Sequence, residues 1–223
     1  MNFDKLKVSV VGLGYIGLPT AAVLANVGHD VVGLDVNPKV VDMINLGEIH
    51  IVEKDLDGLV QKAVAAESLR ATLRAESADV YIIAVPTPFK DGHEPDLSYI
   101  QQAAHSIAGV LGPGALIILE STSPVGATEK LVEWLSSTRP DLTFPTSAES
   151  EPDVNIAYCP ERVLPGSIIA ELVKNDRVIG GVSSICSARA KRFYETFVRG
   201  ECIVTRLTRR RDDQADRECV QGC

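Results

Sequence analysis

The sequence is short of the features that mark several large classes of protein. It has no CxxC pair, and its five cysteines (Cys159, Cys186, Cys202, Cys219 and Cys223) are an odd number. That argues against a disulfide framework or a closed zinc site, and it points to a reducing, cytoplasmic compartment. Basic residues are in the minority: Lys plus Arg is 22 against 30 for Asp plus Glu, a net charge of −8. A chain with this balance is a poor partner for nucleic acid or an anionic membrane, although a helix N-terminus can still hold a phosphate. Long unbroken apolar runs are also missing. The most apolar stretch, Val8 to Val27, is punctuated by Gly12, Gly14, Gly17 and Pro19, with Asp4 in its flank. It reads neither as a signal peptide nor as a membrane span. Histidine is scarce and scattered. His29, His50, His93 and His105 have no metal-like spacing, and no metal site is expected. No internal repeat is found.

What is present is an alternation of short β-branched runs with helical stretches. With 223 residues, 45% of them hydrophobic, the chain is long enough to bury a sizeable core. Lys7 to Gly12 (KVSVVG) predicts a buried strand, Ile16 to Val27 a helix closed by Gly28, and Asp30 to Asp35 (DVVGLD) a second strand. Asn37-Pro38 then supplies an N-cap and a first helical residue. Further strands are expected over residues 80–85, 115–120, 155–159, 177–182 and 202–205. Helices are expected over residues 55–66, 97–111, 128–137 and 187–198, and Pro145 to Asp153 as an exposed polar loop. Strands alternating with helices give the α/β class: a doubly wound, mostly parallel sheet of Rossmann-like form. One domain over residues 1–205 accounts for all of it. From Arg206 the composition breaks, with five arginines, four acidic residues and no apolar period, so residues 206–223 are expected to be a polar tail without a fold.

Chemistry is first suggested by Gly12-Leu13-Gly14-Tyr15-Ile16-Gly17, a GxGxxG turn. The pattern alone is weak, but here it follows a strand, opens a helix and lies inside a βαβ unit. Gly12 permits the tight turn. Gly14 lets a pyrophosphate approach the backbone, and Gly17 lets helix and strand pack closely. Asp35, at the end of the second strand, can accept hydrogen bonds from both ribose hydroxyls and would repel a 2′-phosphate. Together they favour NAD. A flavin or S-adenosylmethionine site uses a similar turn, and a glycine turn without a ligand is the bland alternative.

Three polar clusters follow other strands, where ligands of open α/β sheets sit. They are Pro86-Thr87-Pro88, Ser121 to Gly126 with Thr128 in the next helix, and Tyr158-Cys159-Pro160-Glu161-Arg162. Each could be ordinary turn chemistry, with Thr87 and Thr122 as caps. Three on one rim beside the glycine turn suggest a site. Glu161-Arg162 is either a surface ion pair or a proton-handling carboxylate beside a guanidinium for a phosphate or sugar oxygen. Cys159, placed in a strand, reads as a small core hydrophobe rather than a nucleophile.

Taken together, VVGLGYIGLPTA (10–21), VPTPFK (85–90), LESTSPVGATEK (119–130) and NIAYCPERVLPG (155–166) resemble the UDP-glucose/GDP-mannose dehydrogenase family. GEIHIVE (47–53) and IAYCPERVLPG point to its N-acetylmannosamine subgroup. The likeness covers residues 6–205. It implies oxidation of the C6 alcohol of a nucleotide sugar to a carboxylate with two NAD, giving a uronate for surface polysaccharide synthesis. UDP-N-acetylglucosamine, UDP-glucose and GDP-mannose are the alternative substrates. By the same resemblance Tyr15, Ile16, Asp35, Thr87 and Thr128 would contact NAD, and Thr122 would line its nicotinamide side. Arg162 and Val163 would meet the nucleotide sugar, and Glu161 would assist proton transfer. Family members continue with a helix that carries a substrate-contacting Lys and Asn and forms the core of a homodimer. A Gly-rich segment with the nucleophilic Cys and a second α/β domain follow. None of these is found after Thr205, so a premature end after a reading-frame shift is expected, with a catalytically silent NAD-binding fragment as the corresponding outcome.

Overall fold

The computed structural model describes residues 3, 5–90, 94–145 and 151–206. The N-terminal half runs β1 (Lys7–Val11), α1 (Gly17–Asn26), β2 (Asp30–Leu34), α2 (Pro38–Asn45), α3 (Leu56–Ala65), β3 (Leu69–Thr72) and β4 (Val80–Ile83). It continues through α4 (Ser98–Ala108), β5 (Leu116–Leu119), α5 (Ala127–Thr138) and β6 (Asn155–Tyr158). The last elements are α6 (Ile168–Lys174), β7 (Arg177–Gly181), α7 (Ser184–Tyr194) and β8 (Cys202–Arg206). Among the described residues these strands form one sheet in the order β3-β2-β1-β4-β5-β6-β7-β8. Neighbours are parallel except β6 and β7, which pair antiparallel. The fold is the expected doubly wound α/β sheet.

Strand alternation builds two core layers. In β4, Val80 and Ile82 face one layer while Tyr81 and Ile83 face the other, and β5 repeats this with Leu116 and Ile118 against Ile117 and Leu119. One layer packs against α1, α2, α3, α6 and α7, the other against α4 and α5. Each central strand is thus buried on both sides, which is why these runs lack polar alternation. The chain leaves β1 for β2 and β3 on one side and returns to β4 on the other. That reversal opens a crevice beyond the carboxyl ends of β1 and β4, where α/β sheets take ligands.

Three elements depart from the sequence expectations. β3 was not anticipated because its four residues, LRAT, bury only Leu69 and Ala71 at the sheet edge. α6 was not anticipated because its start is held by a distant carboxylate. α7 begins earlier than expected, since Ser183 caps it by accepting from Cys186 N. Arg206, expected to open the tail, closes β8 instead; the expected tail from residue 207 on, part of the Pro145–Asp153 loop and His93 lie outside the described residues.

Candidate functional site

The glycine turn sits where β1 gives way to α1, and its packing explains two of its three glycines. Gly12 has φ +91°, and a Cβ there would stand 2.8 Å from the carbonyl oxygen of Ala84. A Cβ on Gly17 would stand 1.8 Å from the carbonyl oxygen of Gly12, so the helix lies directly on the turn. Gly14 differs: a Cβ there would meet nothing within 4 Å. The protein does not need its bareness for packing, so the open face is available to a ligand. Ile16 gives α1 no side-chain cap, and although Leu18 N donates to Gly14 O and Pro19 has no N–H, the positive end of the helix remains at that space. Asp35 fastens the turn to β2. Its Oδ2 accepts from Leu13 N at 2.9 Å and its Oδ1 from Asn37 N at 2.9 Å. A carboxylate has further lone pairs, and Asp35 is only half-buried.

A cavity of about 1280 Å³ opens here. The structure brings Gly12, Gly14, Tyr15, Ile16, Asp35, Thr87, Thr122, Glu161, Arg162 and Val163 to its wall. Gly17 and Thr128 do not line it. Gly17 packs under the turn, and Thr128 is 4% exposed in the buried first turn of α5 beside Ala127. The rim loops are tied to one another. Thr87 Oγ1 donates to the carbonyl of Thr122, Ser121 Oγ donates to Val85 O at 2.6 Å, and Ser123 N donates to Tyr158 OH at 3.2 Å. Of the two hydroxyls expected as caps, that of Thr87 joins those of Ser121 and Tyr158 in clamping the strand ends after β4, β5 and β6 into one wall, while Thr122 contributes its carbonyl.

The third cluster carries titratable groups. Glu161 pairs with Arg177, Oε1 to Nη1 at 4.0 Å, and both side chains are buried. Arg162, its neighbour in sequence, is exposed on the wall. The surface-pair reading of Glu161-Arg162 is thereby corrected: the partner comes from β7, because the Glu161 side chain is buried while that of Arg162 is exposed. Burial, then the charge of Glu120, push the Glu161 carboxyl up to about 7, while Arg177 pulls it down. Sequence reasoning missed Glu120 and Arg177. Glu120 lines the cavity at the end of β5, and burial raises its carboxyl too. Its signal was a lone carboxylate closing the apolar run ALIILE. Cys159 is fully buried with its thiol pushed up to about 12 by burial, which makes it the expected inert core residue.

Glu53, in the GEIHIVE stretch, was also missed. Its carboxylate accepts from Gly166 N at 2.7 Å and from Ile168 N at 2.9 Å. It anchors the far end of the loop that carries Glu161, Arg162 and Val163.

The open Gly14 face, the uncapped α1 terminus and the Asp35 carboxylate fit a dinucleotide in a cavity larger than the usual pocket of about 300–1,000 Å³. Among the described residues no cluster of His, Cys, Asp and Glu could hold a metal ion, and no helix is long and apolar enough to cross a membrane.

Comparison with known proteins agrees with this geometry. The sequence model of the "UDP-glucose/GDP-mannose dehydrogenase family, NAD binding domain" matches residues 6–198. The UDP-N-acetyl-D-mannosamine dehydrogenase of Escherichia coli K12 is 61% identical over 198 residues, 89% of this chain and 47% of that protein. The NDP-N-acetyl-D-galactosaminuronic acid dehydrogenase of Ralstonia nicotianae is 60% identical over 205 residues, 92% of this chain and 48% of that one. Among solved structures, a UDP-D-ManNAc dehydrogenase from Pyrococcus horikoshii superimposes with a TM-score of 0.83 at 40% identity, covering 90% of this chain and 47% of its own. The chain spans about half the length of the curated relatives it matches.

Proposed function

The chain belongs to the UDP-glucose/GDP-mannose dehydrogenase family, with the NAD-binding domain of that family over residues 6–198, and from that premise we propose that it is the cofactor-binding part of a UDP-N-acetyl-D-mannosamine 6-dehydrogenase. The observation that carries the reading is one cavity with Gly14 and Asp35 at one end and a buried carboxylate, Glu161, at the other. NAD would supply the two-electron acceptor, used twice between alcohol and carboxylate. The residues of the chain divide the rest of the work. The glycine turn at the open Gly14 face and the positive end of α1 hold the pyrophosphate, and Asp35 accepts from the ribose hydroxyls. Tyr15, Ile16, Thr87 and Thr122 line the remaining length, with Thr122 toward the nicotinamide. Arg162 and Val163 meet the nucleotide sugar, and Glu161 holds or moves a proton beside its C6.

Oxidation of an aldehyde to an acid needs a nucleophile to prepare the second hydride donor. Among the described residues the cysteines, Cys159, Cys186 and Cys202, are all buried. This favours, for the chain acting alone, a second reading: an NAD-binding module without turnover. The Ralstonia relative at 60% identity makes an N-acetylgalactosamine-derived nucleotide sugar the competing substrate.

Calorimetry with NAD and an absorbance assay for NADH test these readings together. NAD should bind, and Asp35→Ala should weaken it by about 1–3 kcal/mol, the scale of hydrogen bonds to a charged group. Equal affinity in the variant would remove the ribose from Asp35. Steady NADH with UDP-N-acetyl-D-mannosamine would exclude the silent module. Faster turnover of the N-acetylgalactosamine-derived sugar would change the assigned substrate.

A further inference from the structure

Beneath the cavity wall lies a group of polar side chains that cofactor binding leaves without a task. Glu120 is 1% exposed. Thr20 Oγ1 donates to its Oε2 and Tyr194 OH to its Oε1, each at 3.3 Å. Arg177, 3% exposed, reaches Glu161 with Nη1 and donates from Nη2 to the carbonyl of Leu172 at 3.2 Å. Its guanidinium lies 5.6 Å from the centre of the Tyr194 ring. Glu161 Oε1 and Arg177 Nε are buried without a hydrogen-bond partner. Glu120 and Glu161 both line the cavity, and the Glu161 amide donates to the carbonyl of Glu120 at 3.2 Å.

One guanidinium therefore serves two buried carboxylates: it pairs with Glu161 directly, and it reaches Glu120 only through Tyr194, whose ring faces Arg177 and whose OH donates to Glu120. With both ionised the group carries one uncompensated negative charge in a desolvated place, which is costly. One proton removes it. The other titratable groups facing the cluster do not change that count. Burial pushes Cys159 on β6, Cys202 on β8 and Tyr194 on α7 upward, so all three stay neutral near pH 7.

We propose that Glu120 and Glu161 hold a single proton between them across Arg177, and that Glu120 is the positioning residue that keeps Glu161 able to take or give that proton at the cavity wall. The proposal rests on Glu161 being the proton-handling carboxylate of the function above. Both carboxyls are raised by burial, and each is pulled down by Arg177. As pH rises the proton leaves to solvent through the cavity, so no co-reactant is needed. A Glu120 that served only to hold Thr20 and Tyr194 would leave the Glu161 titration alone.

Infrared titration of the carboxyl C=O band on the full chain reads this directly. In the wild type a protonated carboxyl should persist above about pH 6, beyond the ordinary glutamate range, in line with a Glu161 carboxyl pushed up to about 7, and be lost at higher pH. In Glu120→Gln the Glu161 midpoint should fall by about one pH unit or more, because a like charge is gone and Arg177 serves one carboxylate. In Glu161→Gln the band should likewise be lost from the neutral range, because Glu120 then has Arg177 to itself. No wild-type band above about pH 6, or an unchanged midpoint in a folded Glu120→Gln, overturns the proposal. So does a band that survives in Glu161→Gln. If Glu120→Gln does not fold, the wild type and Glu161→Gln decide. Calorimetry with NAD on the same samples keeps the two readings apart, since a failure to bind NAD would sink the cofactor assignment and leave the carboxyl titration standing.

Discussion

Gly14 and Gly17 belong to one motif but answer to different physics. A methyl group at Gly17 collides with the Gly12 carbonyl at 1.8 Å, backbone against backbone, so neither side can yield. Gly17→Ala should cost about 3 kcal/mol or more of stability, the scale of severe overpacking. A methyl group at Gly14 meets nothing within 4 Å. Gly14→Ala should leave stability within about 0.5 kcal/mol, as for an open surface site, yet weaken NAD about tenfold or more by standing where the pyrophosphate approaches. Thermal unfolding and calorimetry on the two variants separate these effects. A Gly14→Ala variant that binds NAD as the wild type does would move the pyrophosphate away from the turn. The glycines and Asp35 were legible in the sequence because their roles depend on neighbours along the chain. Glu120 and Arg177 were not, because only the sheet order brings β5 and β7 to one buried spot.

At the scale of elements the same distinction separates what pattern reveals from what it hides. β1, β2, β4 and β5 announce themselves, since burial on both faces demands unbroken apolar runs. α6 does not. It has seven residues, too few for a stable isolated helix, and Ser167 gives it no side-chain cap. Its first N–H bonds instead to Glu53, which lies far away in sequence and donates nothing to any local helix signal. The carboxylate also takes the amide of Gly166, so one side chain holds both the helix and the end of the loop bearing Glu161. Glu53→Ala should therefore cost about 1–2 kcal/mol, the upper range of N-cap removal. Amide exchange should quicken at Gly166 and Ile168 while α1 keeps its protection, since the Glu53 carboxylate accepts from those two amides and from none in α1. Unchanged protection at those two amides would mean that Glu53 does not hold the loop. GEIHIVE could be read as a family mark, but its physical use is a contact across the fold that no spacing rule contains.

For the whole molecule the question is how an acidic chain binds an anionic dinucleotide. The net charge of −8 repels it at long range. The attraction is local, from the α1 terminus and the turn amides, and acts only where the β1–β4 crevice brings them together. Such a site exists in the folded state alone, so binding must stabilise the fold as a unit. At an NAD concentration of about 100 times Kd the gain is about 2.7 kcal/mol. For a chain of this length that raises Tm by roughly 5–10 °C. NADP should give less than half that shift, because its extra phosphate would face the Asp35 carboxylate, which is held at the end of β2 by the amides of Leu13 and Asn37. Added salt should not abolish the NAD shift, since screening weakens the repulsion from the whole chain as much as the attraction at the helix end. Equal shifts with NAD and NADP would mean that Asp35 serves only to brace the turn. A shift with NAD that disappears in salt would assign binding to diffuse charge, which a protein of this net charge is least able to supply.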